Sequence, residues 1–264
     1  MKIKHDFHIH TDLSLCANET ATLSNYLEIA KNLDLKKLGF ADHFWDEKID
    51  GANGFYQPQN FEHICELKKE IAKTPHDGIE IYFGCETEYD PYHRGVAITE
   101  ERAEQMDFII VPNSHTHMMM PKDFYEPYQK HVDFMIQAYE DIINSNVSRY
   151  ITAMAHPFEA VCCPYPNSIL IDMITDDQFK RLFDKTAEKG IAIEINVASM
   201  MKKTHDEIEK SSEVRLFRLA KECGCKFTFG SDAHSNTVHD TYHNTDFVAK
   251  LLDLTENDLA DIVK

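Results

Sequence analysis

Short apolar runs recur along the chain, alternating with helical patterns. They are Ile3–Ile9, Lys37–Ala41, Ile79–Gly84, Phe108–Val111, Tyr150–Ala155, Ile191–Ile195 and Lys226–Gly230. Each is too short for a helix and lacks the alternation of a half-exposed strand, so each reads as a strand buried on both faces. Helical periodicity fills the gaps: Leu23, Leu27, Ala30 and Leu33 share one face, as do Ile64, Leu67 and Ile71 behind an expected Asn60 N-cap. Further helical patterns are expected at about 131–146, 176–189, 211–223 and 244–263. Strand then helix, seven times over, predicts parallel β/α units closed into a barrel or wound into an open sheet. No repeat or flexible linker interrupts the pattern, so residues 1–264 are expected to form one domain.

The residues that follow each run separate the two architectures. They are His8 and His10, then Asp42-His43, Glu86, His115 with His117, His156-Pro157, Glu194 and Asn196, and finally Asp232 with His234. In a β/α barrel every strand C-terminus opens on one mouth, whereas an open sheet would spread these groups along an edge. His8 and His10 lie two apart on a strand and point the same way, so one metal could take both. A carboxylate such as Glu86 can bridge two cations while imidazoles complete their shells. His8, His10, His43, Glu86, His115, His156, Asp232 and His234 exceed the needs of one tetrahedral ion. A barrel of parallel β/α units with a multinuclear metal site at its mouth is the expectation.

Composition narrows the partners. Across 264 residues, 27 Lys and Arg face 45 Asp and Glu, for a net charge of −18, and there are 15 His. The basic residues form no track, which disfavours nucleic acid and favours a small substrate. No apolar run reaches membrane-spanning length and the first residues do not resemble a signal peptide, so a cytoplasmic location without membrane contact is expected. The seven Cys follow no disulfide or zinc-finger spacing, and most are expected to be buried small hydrophobes.

Taken in order, His8-Ile9-His10-Thr11, Gly39-Phe40-Ala41-Asp42-His43, Gly84-Cys85-Glu86, His115, Ala155-His156-Pro157 and Gly230-Ser231-Asp232-Ala233-His234 resemble the motifs of the PHP (polymerase and histidinol phosphatase) superfamily. The resemblance implies a distorted (β/α)7 TIM-like barrel with a trinuclear centre of divalent Zn, Mn or Fe. His8, His10, Glu86 and Asp232 would hold one ion, Glu86, His115 and His156 a second, and His43 with His234 a third. Many histidinol phosphatases carry another His eight residues after the first. This chain has Cys16 there, within Leu13-Ser14-Leu15-Cys16-Ala17, similar to the Ser-x-Cys-Ala form of other PHP phosphoesterases, in which a thiolate fills that place. Soft sulfur suits Zn or Fe better than Mg.

The implied reaction is hydrolysis of a small phosphorylated metabolite, with L-histidinol phosphate the first substrate expected, by hydroxide attack from between two metals. Asp42 would orient an imidazole through its other nitrogen. Arg94 would contact phosphate, and His117 is a candidate catalytic group, as are Glu88 and His93. Another small phosphorylated metabolite or a short nucleotide, an amidohydrolase-type hydrolysis, and a non-catalytic regulatory module are the alternatives. The loops Phe44–Gln59 and Val161–Thr175 are expected to read the alcohol portion of the substrate. Met118, Met119 and Met120 are read as packing residues, and Gly224 as the left-handed turn between a helix and the last strand. His63, His76, His131, His205, His239 and His243 are read as surface residues.

Overall fold

The computed structural model describes residues 1–200, 203–236 and 242–264, apart from the side chain of His243. All seven expected strands are present, as β1 (His5–Ile9), β2 (Lys37–Phe40), β4 (Glu80–Thr87), β7 (Phe108–Pro112), β8 (Ala153–Ala155), β9 (Ala192–Asn196) and β10 (Phe227–Gly230). They pair in parallel in chain order, with Leu38 opposite Ile81, Ile110 opposite Ala153 and Glu194 opposite Thr228. Closure comes from β1 and the segment after β10: His10 N donates to Ala233 O and Asp232 N to His8 O. The result is a nearly closed seven-stranded parallel barrel. A two-residue strand β3 (His43–Phe44) pairs with the end of β4, and β5 (Tyr89–Asp90) forms a hairpin with β6 (Gly95–Val96). These short strands lie inside segments that the pattern left as loops.

Apart from the starts of β2 and β4, where Lys37, Ile81 and Tyr82 are half-buried and Glu80 is exposed, the barrel strands are buried, because their outer surface is covered by helices α1 (Leu23–Leu33), α2 (Phe61–Ile71), α5 (Tyr128–Asn144), α7 (Asp176–Glu188) and α9 (Ser212–Glu222). Shorter helices are α3 (Glu100–Ala103), α4 (Thr116–Met119), α6 (Asn167–Met173) and α8 (His205–Glu209). Asn60 caps α2 by accepting from His63 N, and Thr175 and Gln178 form a reciprocal capping box on α7. Gly84 leaves room for a neighbouring strand: a Cβ there would lie 2.4 Å from the Phe108 ring and 2.5 Å from the Phe108 carbonyl oxygen.

Several expectations are corrected. The segment expected as one helix over 244–263 is α10 (His243–Leu251) followed by two 3-10 turns, and Val161–Thr175 contains α6 rather than being loop alone. Tyr150 belongs to a 3-10 turn before β8. Of the seven free Cys only Cys85 and Cys225 are buried, because Cys16, Cys162 and Cys163 lie on loops, Cys65 on a half-buried face of α2 and Cys223 at the C-terminal end of α9. Gly224 has φ +81, as the left-handed turn requires. Met118 and Met119 pack against Trp45 and Tyr56, and Met120 is buried. Among the described residues no helix is long and apolar enough to cross a membrane.

Candidate metal centre

His8, His10, His43, Glu86, His115, His156, Asp232 and His234 meet at the C-terminal mouth of the barrel. Their ligand atoms form overlapping groups within 4.8 Å of one another: His8, Glu86 and His156; His8, His10 and Asp232; His10, His43 and His234; and His43, Glu88 and His115. Glu86, fully buried at the end of β4, faces both ways. Its Oε2 lies 3.5 Å from the Nε2 of His8 and of His10 and 3.0 Å from His43 Nδ1. Its Oε1 lies 3.0 Å from His156 Nε2 and 3.7 Å from His115 Nε2. Asp232 Oδ1 approaches His8 and His10 at 3.5 and 3.3 Å.

Five of the six rings, all but His43, are held from behind. His8 Nδ1 is 2.7 Å from Glu194 Oε1, His115 Nδ1 is 2.6 Å from Glu88 Oε1, and His156 Nδ1 is 2.6 Å from Ser114 Oγ. His10 Nδ1 is 3.2 Å from Ser14 Oγ, and His234 Nδ1 is 2.8 Å from the Asp232 carbonyl. A carboxylate or carbonyl at Nδ1 places the proton there, so the neutral ring turns a bare Nε2 lone pair inward. The Nε2 atoms of His8 and His10 then face each other at 3.0 Å. Glu86 Oε2 and His43 Nδ1 are both buried and, although 3.0 Å apart, are not aligned as a hydrogen bond, and neither has another partner. Lone pairs and carboxylate oxygens converging on unpartnered buried atoms are a donor set that cations satisfy and that is costly without them.

The charges show the same demand. Burial opposes charge on Glu86, yet His115, His8 and His43 outweigh it and hold the carboxyl well below its ordinary range. Burial likewise opposes protonation of His8, and Glu194, Glu86 and Asp232 overcome it, raising that ring well above its usual value. Burial together with the neighbouring His234 and His43 drives His10 well below. The buried carboxylates thus call for positive charge at the point where the ring nitrogens converge.

Backbone and packing are specialised here too. His156 and Asp232 adopt φ +26 and +53, a region costly for residues with a side chain. Gly230 lies two residues before Asp232: a Cβ would sit 2.1 Å from Glu194 Oε1 and 2.4 Å from His8 Cβ, so glycine is what lets the strand pass behind the His8–Glu194 pair.

The remaining expected residues separate. Cys16, exposed at the rim, takes hydrogen bonds from His234 and His43; burial of the sulfur opposes ionisation, but these bonds bring the thiol down to about 7. A cavity of about 190 Å3 opens beside it, lined among others by His43, Phe55, Tyr56, His115 and His117. His117 is therefore at the mouth. Asp42 does not touch an imidazole as expected. It accepts from Thr11 N, Thr11 Oγ1 and Ser14 Oγ, all at 2.7 Å, and so reaches His10 only through the Ser14 hydroxyl. Arg94 is elsewhere: its Nε and Nη2 lie 3.0 and 2.9 Å from the Asp141 carboxylate, beside a separate surface cleft, because the β5–β6 hairpin carries it toward α5. His93 pairs with Asp90 in the same hairpin. His131 is not a surface residue but fully buried, bonded to Tyr165 and Thr116. His239 and the His243 side chain lie outside the described residues. Sequence reasoning missed the backing roles of Glu194, Ser14 and Ser114. Glu194 was visible as a strand-end acid, but nothing local marked the two serines.

Comparison with known proteins follows the same lines. The PHP domain profile matches residues 6–198. A protein of Caldicellulosiruptor saccharolyticus named a "probable phosphatase" is 28% identical over 240 residues, covering 90% of this chain and 82% of that protein. The crystal structure of histidinol phosphate phosphatase from Lactococcus lactis, complexed with zinc, L-histidinol and phosphate, superposes with a TM-score of 0.64 at 18% identity, covering 97% of this chain and 95% of that one.

Proposed function

Because the chain belongs to the PHP domain family, we propose that it is a metal-dependent phosphoesterase acting on a small phosphate monoester, with L-histidinol phosphate the first substrate to test. The observation that carries this reading is the set of inward-facing imidazole nitrogens around a carboxylate that presents one oxygen to each side. In this reading His8, His10, Glu86 and Asp232 hold one divalent ion, Glu86, His115 and His156 a second, and His10, His43 and His234 with Cys16 a third. Zn, Mn or Fe fits a donor set of imidazole, carboxylate and thiolate. Bound there, such ions supply positive charge to the phosphoryl oxygens and acidify a water for in-line attack on phosphorus.

The protein's own groups then have defined tasks. Glu194, Glu88, Ser114 and Ser14 fix the rings, and Asp42 fixes Ser14. Phe55, Tyr56 and Met118 narrow the cavity above the centre and limit water entry. His117, at the rim, meets the departing alcohol and is the proton-donor candidate.

The test is metal analysis of protein purified without chelator, paired with phosphate release from L-histidinol phosphate and p-nitrophenyl phosphate. At least two transition-metal equivalents and chelator-sensitive phosphate release are expected. Metal-free protein that stays inactive after Mn or Zn addition, or a preference for amide over phosphate ester, would refute the reading.

A further inference from the structure

Glu88, directly after β4, is fully buried, and its two carboxylate oxygens are used unequally. Oε1 takes two donors, His115 Nδ1 at 2.6 Å and the Tyr56 hydroxyl at 2.6 Å, while Oε2 is buried without a hydrogen-bond partner. A carboxylate has acceptor sites on both oxygens, and its last torsion is soft and roughly two-fold, so nothing intrinsic decides which oxygen Glu88 offers to His115. A phenol keeps its proton at neutral pH, so the Tyr56 hydroxyl is the donor and makes that choice.

The other acids behind the metal centre are oriented by nearby backbone. Glu194 divides its oxygens, Oε1 to His8 Nδ1 and Oε2 to His156 N at 2.6 Å. Asp42 is held by Thr11 N as well as by two hydroxyls. The Glu88 carboxylate has no backbone donor among the described residues, and its second donor comes from 32 residues away, in the segment between β3 and α2. Tyr56 is itself fixed there. It is buried, its ring lies against Trp45 and edge-on to Phe55, its backbone N donates to Asn53 Oδ1, and it walls the cavity of about 190 Å3 above the centre.

We infer that Tyr56 is a positioning residue for the metal centre: its hydroxyl pins Glu88 Oε1 on His115 Nδ1 and so sets the direction in which the His115 Nε2 lone pair points. The inference rests on the phosphoesterase reading, in which His115 holds the second ion. A ring backed by an untethered carboxylate loses part of the preorganisation on which metal binding draws. Because Tyr56 also walls the cavity, one side chain ties the segment over the mouth to the geometry of the ion beneath it.

Tyr56→Phe keeps the ring and its packing and removes only the hydroxyl, so a side chain that merely fills space would not register the change. In metal-free protein carrying isotope-labelled histidine, the Nδ1–H resonance of His115, assigned by its loss in His115→Ala, should shift or broaden in Tyr56→Phe. Zinc affinity measured by chelator competition should fall roughly tenfold, the lower end of the range for altering a ligand's hydrogen-bond partner. With p-nitrophenyl phosphate the loss should fall on kcat, leaving KM within about twofold of wild type. Adding Tyr56→Phe to Glu88→Gln should weaken zinc binding by less than about a further twofold, because residues that act through one another are not additive. An unchanged His115 resonance or zinc affinity in Tyr56→Phe, or full additivity with Glu88→Gln, would overturn the inference. So would unaltered zinc affinity in Glu88→Gln alone, whether or not Tyr56→Phe folds. Absence of any phosphate release from wild-type enzyme, with these effects on His115 and zinc intact, defeats the phosphoesterase reading and not the positioning role.

Discussion

His5 and His8 lie on the same strand, both buried, and have opposite fates. At the closed end of the barrel, His5 Nε2 accepts from Phe229 N at 3.1 Å, and its ring meets Phe7 and Phe229 edge-on. Burial, aided by Lys37, pushes its pKa down to about 3. At the open end, His8 is surrounded by Glu194, Glu86 and Asp232 and is driven the other way. A buried imidazole with a donor at its lone pair is a structural residue. One backed by a carboxylate and turned toward unpartnered acids is a ligand in waiting. Burial alone does not distinguish them, and the environment of each nitrogen does.

The contrast is broken most severely by removing the ring from the open end. His8→Ala should lower kcat/KM for phosphate release by at least about a hundredfold, more than the ~10–100-fold typical of altering a ligand's hydrogen-bond partner. His5→Gln should retain most turnover per folded molecule. Circular dichroism and metal content measured beside the rates would show whether His8→Ala is folded; comparable losses in both variants would erase the distinction.

A subtler change keeps His8 and alters what stands behind it. Glu194→Gln preserves shape but removes the charge that holds the Nδ1 proton, so metal affinity should weaken roughly 10–100-fold. Competition with a zinc chelator measures this, and unchanged affinity would make Glu194 a packing residue.

The smallest effect sharpens the closed end. An unfolded His takes up its proton near 6.5, whereas folded His5 does so only near 3, so between those values the unfolded chain binds more protons. Stability is then lost as pH falls from about 6.5 toward 3, with a slope from this group of up to about 1.4 kcal/mol per pH unit. Urea titrations of metal-free protein across that range should show a shallower acid limb in His5→Gln. Parallel limbs would mean that His5 is hydrated in the folded state.

Much of this molecule is legible in the chain. The seven apolar runs place the barrel strands because parallel strands are buried on both faces, and a local signal such as Asn60 places a helix start. The candidate ligand types are legible because each lies at or just beyond the C-terminal end of a strand. Arg94 was misjudged by that same proximity rule: it follows the Glu86 strand, but a hairpin invisible to apolar periodicity turns it onto Asp141, 47 residues away. His131 shows the converse, since a polar residue on an amphipathic helix reads as exposed until Tyr165 and Thr116 close over it.

What the sequence by itself determined is the order of strands and which acids and imidazoles sit at their ends, because period and strand length are local properties. What only the tertiary structure decided is which nitrogen of each ring faces inward, and where an acid is left without a partner. Those depend on contacts such as Glu194 with His8 and Ser114 with His156, 186 and 42 residues apart, which exist only once the sheet has curved shut.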